Sequence, residues 1–366
     1  MRITRKNRVV VAMSGGVDSS VTAALLEEEG LQVIGVTLQL GNFAESDHTT
    51  TTGGHSCCPG RDVADARRVA ETIGIPHYVF DYKDRFFKNV IIPFSESYGR
   101  GETPIPCVLC NIHIKFKDLL YAARLLKAKY LATGHYALLK RGPDGPELWR
   151  SKDLRRDQSY FLFATTRAQL RFLHFPLGLF SSKAETRAHA RRFGLPVADK
   201  KDSQDICFAP DGHYSRVIRT VLPELVQPGD IVHIDGRLLG RHAGIIHYTV
   251  SQRHGLGVGG ESEPLYVVRL DASTRRVIVG PRTALLRDQL TVGNINWLGQ
   301  GHSPPKTGIS LTVQLRSMHR PLSAIVYGST DGSAHVLLDR PFSGIAPGQA
   351  CVFYQGERLL GGGWIR

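Results

Sequence analysis

Cysteine is scarce in this chain: six residues in 366, at positions 57, 58, 107, 110, 207 and 351. So thin a supply excludes a disulfide-stapled secreted scaffold and leaves metal, cluster or redox chemistry as the use for thiols spaced like Cys107 and Cys110. Long apolar runs are missing too. Arg2, Arg5, Lys6 and Arg8 followed by Val9 to Met13 imitate a signal peptide, but the apolar stretch is short and runs straight into a glycine turn. With no run approaching the length of a membrane span, a soluble, cytoplasmic protein with no membrane partner is expected. Acidic residues are outnumbered: Lys plus Arg total 46 against 33 for Asp plus Glu, a formal charge of +13 spread along the whole length. A distributed excess of this kind suits a polyanion, nucleic acid first, better than a single basic tail would.

What is present begins at the N-terminus. Ser14-Gly15-Gly16-Val17-Asp18-Ser19-Ser20 follows the apolar run Val9 to Ala12 and places a turn of small residues between a strand and a helix. Two adjacent glycines let backbone approach a ligand closely, and the free N–H groups of the turn and of the helix opening at Val17 point at an anion such as pyrophosphate. The hydroxyls of Ser14, Ser19 and Ser20 are expected to add donors. No Gly-Lys-[Ser/Thr] ending occurs, so this is not the lysine-bearing phosphate loop of kinases and GTPases.

Residues 9–13, 31–40, 77–82 and 129–139 read as buried strands, and 17–29, 61–73 and 111–127 carry helical spacing. Strand alternating with helix predicts an α/β fold built on a parallel sheet. The stretch 41–60, with its threonine run and His55-Ser56-Cys57-Cys58, lacks periodicity and is expected to be a mobile loop beside the ligand. Residues 141–146 predict a turn between strands, and 181–193 an amphipathic helix stopped by Gly194-Leu195-Pro196. Beyond about residue 212 short alternating strands and glycine turns take over. The reading is a catalytic domain over 1–211, a β-rich module over 212–282 and a second over 283–366, the last a compact barrel of five or six strands.

Cys107-Val108-Leu109-Cys110 follows the stiff Thr103-Pro104-Ile105-Pro106 and precedes a helix expected from Asn111, where free N–H groups favour a thiolate. Cys207 lies in Asp202-Ser203-Gln204-Asp205-Ile206-Cys207-Phe208, polar before the thiol and apolar after it. Three uses compete for these thiols: buried structural cysteine, a zinc site adding Cys57 and Cys58, and redox or sulfur-transfer chemistry.

Taken together, these motifs resemble those of the tRNA-specific 2-thiouridylases over nearly the whole chain. The resemblance is carried by Ala12 to Ser20, Thr103 to Asn111, Ile114-Lys115-Phe116, Ala132-Thr133-Gly134-His135-Tyr136 and Asp157 to Leu162. Lys201 to Phe208, Ser251 to Gly257 and Pro347-Gly348-Gln349 complete it. It implies a parallel-sheet ATP pyrophosphatase domain of the adenine nucleotide alpha hydrolase-like type, followed by a central β-rich tRNA-binding module over 212–282 and a C-terminal β-barrel over 283–366. The implied reaction uses ATP with Mg²⁺ to adenylate the C2 oxygen of the wobble uridine, releasing pyrophosphate and then AMP. By the family pattern Cys207 carries a persulfide and Cys110 cleaves its sulfur–sulfur bond, leaving a Cys110–Cys207 disulfide. The partners implied are the tRNA anticodon stem-loop and a persulfide donor, a cysteine desulfurase or a sulfur relay protein.

Position by position, the resemblance assigns Ala12, Met13, Ser14, Gly15, Gly16, Val17, Asp18, Ser19, Leu38 and Gly134 to ATP. It assigns Ile105, Pro106, Cys107 and His135 to the target base, and Arg156, Asp157, Gln158, Arg316, Ser317 and Gln349 to tRNA. Two positions depart from the family: Ile105 stands where Asn is expected, and Cys107 where the best-known members have Asp. The second departure opens another version of the reaction, in which Cys107, Cys110 and Cys207 hold a [4Fe–4S] cluster. Other Ser-Gly-Gly pyrophosphatases, which need neither Cys110 nor Cys207, are the rival enzymes. An ATP-switched RNA-binding protein is the rival from another class.

Overall fold

Val9, Val10 and Val11 are wholly buried in strand β1 (Arg8–Ala12), the centre of a parallel sheet with β2 (Gln32–Gln39), β3 (His77–Asp81) and β4 (Leu131–Thr133). The computed structural model describes residues 7–41, 59–202, 206–209, 212–260 and 262–366. The loop expected over 41–60 falls largely outside the described residues, together with Cys57 and Cys58. Backbone contacts divide the chain into two compact units, Met1–Asn89 with Cys107–Gly212 and Glu357–Leu359, and Val90–Pro106 with His213–Gly356 and Leu360–Arg366.

In the first unit, β5 (Ala137–Gly142) and β6 (Gly145–Arg150) form a hairpin turning between Gly142 and Gly145. The two-residue strand β7 (Leu173–His174) then completes the parallel sheet in the order β3-β2-β1-β4-β7. Helix α1 (Val17–Glu28) buries Val17, Val21, Ala24 and Leu26, and helix α2 (Pro59–Ile73) buries Ala66, Val69 and Ala70 in the same core as Val9 and Val11. Gly74, at φ +73°, ends α2 in the left-handed region that glycine tolerates best. The strand read over 129–139 is in fact two, β4 and β5. Gly134-His135-Tyr136 interrupts it, because β5 leaves the sheet to pair with β6.

The helix expected from Asn111 begins at Pro106. It is α-helical over Pro106–Leu109, widens to a π-helix over Cys110–Leu119 and tightens again over Leu120–Leu125. Proline at the first position accounts for the earlier start, since its missing N–H is one the helix opening would leave unbonded anyway.

The second unit holds a four-stranded sheet in the order β10-β11-β8-β9, made of β8 (Gly229–His233), β9 (Leu238–His242), β10 (Tyr266–Asp271) and β11 (Arg276–Gly280). Its core joins Ile231, Val267, Leu270, Val277 and Val279 to Tyr248 and Leu256. The same unit holds β12 (Leu286–Trp297), β13 (Ile309–Gln314), β14 (Leu322–Gly328), β15 (Ala334–Ser343), β16 (Ala350–Gln355) and most of β17 (Arg358–Ile365). Hydrogen bonding in the order β12-β15-β14-β13-β16-β17, with β12 returning to β17, closes a six-stranded barrel around Val292, Val313, Val326, Val336 and Phe353. Closure removes free strand edges.

Gly361 sits at the closing seam with φ +126°, where an added Cβ would stand 2.0 Å from the Asn296 carbonyl oxygen. Gly361→Ala is therefore expected to open the β12–β17 seam and cost about 3 kcal/mol, from overpacking plus an unfavourable backbone conformation. Urea unfolding measures this, and an unchanged midpoint would contradict it.

Candidate active site

The sheet order reverses direction between β1 and β4, and in open parallel sheets the crevice at the carboxyl ends of such a pair receives the ligand. Ser14 to Gly16 leave the end of β1 there, and Gly134 to Tyr136 leave the end of β4. Gly15 takes φ +73°, and an added Cβ would collide with the Asp62 carbonyl oxygen at 2.2 Å. Gly16 caps α1 with no side-chain hydrogen bond, so the N–H groups of the first turn stay open to an anion. Gly134 lies so close to that turn that a Cβ would come within 2.8 Å of the Ser19 nitrogen.

Ala12, Met13, Ser14, Gly16, Val17, Asp18, Ser19, Leu38 and Gly134 all line one cleft of about 510 Å³. Gly15 shapes the turn without lining the cleft, its carbonyl accepting from Lys200 Nζ at 3.0 Å. The hydroxyls divide. Ser19 Oγ accepts from the Ser14 N–H at 3.0 Å and lies 3.2 Å from Ser14 Oγ, so both face the turn. The Ser19 and Ser20 hydroxyls both donate to the Gly16 carbonyl, at 3.2 and 2.8 Å, but Ser20 is buried and outside the cleft lining, which corrects the expectation that it serves a ligand.

Charged side chains converge on the cleft from distant parts of the unit. Lys183 Nζ donates to both Asp18 oxygens at 2.7 and 2.8 Å and lies 3.0 Å from Asp202. Tyr136 donates its hydroxyl to Asp18 at 2.6 Å, and Arg156 and Arg187 hold Asp202 at 3.0 and 3.1 Å. Lys200, besides gripping Gly15, bonds Asp62 at 2.8 Å and also Asp65. Burial works against ionising Asp202, but Lys183, with Arg156 and Arg187, outweighs it and holds the carboxyl below its ordinary range. Lys115, Lys183 and Lys200 drew no role from the sequence. The only signals were Lys115 inside Ile114-Lys115-Phe116, Lys183 behind a Ser181-Ser182 helix start, and Lys200 in a short basic run.

Cys110 and Cys207 both line this cleft. Cys107 does not line it and is exposed, while Cys110 is buried, and none of the three is in a disulfide. Burial pushes the Cys110 thiol above its ordinary value, only partly countered by the Lys115 cation. This overturns the expected helix-terminus thiolate: Cys110 lies in the second turn of a helix that starts at Pro106, beyond the free N–H groups. His135 lines the cleft with Nδ1 2.7 Å from Thr133 Oγ1, and burial drives its pKa well below the ordinary histidine value, so the ring is neutral near pH 7.

The remaining predicted residues are spread over both units. Arg156 and Gln158 line the cleft, and Gln158 Oε1 also accepts from the Tyr136 N–H at 3.0 Å. Asp157 is buried and accepts from the Ser151 and Ser159 N–H groups and the Ser159 hydroxyl. In the second unit, Ile105 is 7% exposed, and Pro106 is buried at the helix start. Arg316 donates to the Gly344 carbonyl at 2.9 Å, the Ser317 carbonyl accepts from Gln314, and Gln349 donates to the Thr103 carbonyl at 2.8 Å. Asp157, Arg316 and Gln349 thus each hold backbone in place.

Family profiles described as tRNA methyl transferase HUP domain, tRNA methyl transferase PRC-barrel domain and aminomethyltransferase beta-barrel domain match residues 7–211, 216–281 and 287–365. The tRNA-specific 2-thiouridylase MnmA of Rhodospirillum centenum is 58% identical, over 98% of this chain and 91% of the relative. The chain belongs to the tRNA-specific 2-thiouridylase family. Relatives of the same name from Rhodospirillum rubrum, at 54% identity over 98% of this chain and 96% of theirs, and Cereibacter sphaeroides, at 55% over 98% and 94%, agree. The profile descriptions speak of methyl transfer, whereas these nearly full-length relatives are thiouridylases, and this chain is an enzyme of their family. Among the described residues, no helix is long and apolar enough to cross a membrane.

Two outcomes follow for this thiouridylase site. Lys183→Met leaves Asp18 and Asp202 without their shared cation and is expected to cost about 1–3 kcal/mol at pH 7. Since a lowered carboxyl pKa stabilises the fold above the unfolded value and that stability fades as pH falls through the folded value, the variant should acid-unfold at higher pH than the wild type. Circular dichroism against pH reads this. Alkylation of Cys110 by iodoacetamide should climb about tenfold per pH unit from pH 7 to 9 without levelling, and Lys115→Met should slow it further. Peptide mass spectrometry follows the rates, and a plateau below pH 9 would contradict the raised pKa.

Proposed function

We propose that this enzyme replaces the C2 oxygen of the wobble uridine of tRNA with sulfur at the expense of ATP. The observation that carries the reading is one cleft bounded by the Ser-Gly-Gly turn, Cys110 and Cys207. The turn and the opening of α1 receive the phosphates of ATP, with Lys183 and Lys200 fixing the carboxylates and backbone around them. Mg²⁺ entering with ATP would neutralise phosphate charge and ease the departure of pyrophosphate.

Adenylation is the step that makes a uridine oxygen leave. The C2 oxygen attacks the α-phosphorus of ATP and pyrophosphate departs. A persulfide on Cys207, loaded by a desulfurase or relay protein, then attacks C2 with its terminal sulfur, and AMP departs with the oxygen. The Cys110 thiolate attacks the Cys207 sulfur, and the electron pair of the cleaved sulfur–sulfur bond stays with the sulfur on the base, giving 2-thiouridine. Each cysteine has given up one electron to form the Cys110–Cys207 disulfide, which an external thiol must reduce. Lys115 is the cation that favours the Cys110 thiolate against its burial. The neutral His135 ring serves as hydrogen-bonding partner near the base rather than as a standing cation.

A [4Fe–4S] cluster needs Cys107, Cys110 and Cys207 to converge. Cys107 stands outside the cleft, and among the described residues no group of three His, Cys, Asp or Glu side chains could hold a metal ion, so this donor set does not fit and no step is routed through a cluster. An ATP-switched RNA-binding protein would leave both cleft thiols idle.

Cys110→Ser and Cys207→Ser should each still release pyrophosphate with tRNA and ATP but form no detectable 2-thiouridine. Malachite-green phosphate detection after pyrophosphatase treatment, with nucleoside mass spectrometry, separates the two steps. Full thiolation by either variant would overturn the relay, and absence of both products from the wild type supplied with persulfide would overturn the enzyme reading.

A further inference from the structure

The sheet of the second unit has two unlike faces. Val277 and Val279 of β11 enter the core, so the alternating Arg276 and Ile278 turn to the other side, where Val232 and the 48% exposed Ile234 also lie. Across from them stands the first stretch of β12, bearing Arg287. Between the two surfaces lies a cleft of about 580 Å³, wholly within this unit, with Arg269 on its rim as well. Its described lining holds one carboxylate side chain, Asp271, which is already engaged by Ser273 and the Thr274 N–H and lies 3.6 Å from Arg269. Arg276 and Arg287 pair with no described carboxylate. Two main-chain carbonyls, Ala284 and Leu286, hold one Arg287 nitrogen at 3.0 and 2.8 Å and so fix its guanidinium.

Guanidinium groups gathered with so little counter-charge repel one another until an anion joins them, and their planar forks suit phosphate oxygens. The apolar strip of Val232, Ile234 and Ile278 beneath them would repel a bare hydrated ion but suits ribose and base edges. The described lining of the cleft holds no helix opening and no thiol, so it is not a second reaction centre. We propose that this cleft binds the phosphodiester backbone of RNA, holding a stretch of the substrate tRNA other than the uridine being modified. The proposal rests on the tRNA reading above and adds to it a site lined by four arginines, Arg366 being the fourth.

The test is the triple variant R269Q/R276Q/R287Q, whose exposed positions leave folding intact, compared with wild type for tRNA binding between 0.05 and 0.3 M KCl. Each lost phosphate contact should lower the slope of log affinity against log salt by about 0.9, so a drop of roughly two to three is expected, with Kd at least about tenfold weaker near 0.15 M. ATP affinity, read separately, should not change. An unchanged slope and Kd in a variant that melts like the wild type would overturn the proposal. So would calorimetric binding of inorganic phosphate that the triple variant loses while keeping tRNA affinity, since the cleft would then serve a small free anion. Failure of wild type to bind tRNA at all would instead sink the substrate reading itself.

Discussion

One ammonium group holds the catalytic unit's geometry together. Lys200 Nζ bonds the Gly15 carbonyl, Asp62 and Asp65, tying the last stretch of the first unit to the turn after β1 and to α2. That tie is one of two that fix the segment leading on to Cys207 against the Ser-Gly-Gly turn. Lys183 makes the other, joining Asp18 at the head of α1 to Asp202. Burial makes these cations costly to strand and correspondingly strong in dictating position. Burial around Lys200 opposes its charge, yet the two carboxylates prevail and raise its pKa.

The architecture was legible because its signals are local. Val9 to Ala12, the glycine pair and the stripe Ala66, Val69 and Ala70 announce strand, turn and helix within a few residues of themselves, and the alternation of types implies a parallel sheet. Failures arose where tertiary partners decide. Nothing within 129–139 tells that Ala137 abandons the sheet for Arg150, and nothing near Cys110 tells that its helix opens a full turn early. The cleft's glycine and thiol residues were found through motifs, but Lys183 and Lys200 escaped because a lysine's worth there lies in carboxylates and carbonyls more than a hundred residues away. Asp157, Arg316 and Gln349, marked for a partner by the resemblance, also bond the protein's own backbone, which no local pattern announces.

The two cleft thiols are unequal in a way that suits sequential chemistry. Cys207 is exposed, whereas Cys110 is buried with a raised pKa. In the proposed relay, exposure would let another protein load Cys207, and a Cys110 held as thiol would not discharge the persulfide before a base had been activated. Low resting reactivity would then safeguard the sulfur, with the Lys115 cation partly offsetting the burial.

The hairpin β5–β6 finds its outer neighbour in Arg358 and Leu359, which pair with Trp149 and Leu148 across a long stretch of chain. During synthesis on the ribosome, the hairpin therefore waits with one strand uncovered until residues 358 and 359 have been made. Translation that stops early would release a nucleotide-binding unit with an open edge, exposed to proteolysis and aggregation rather than to partial function.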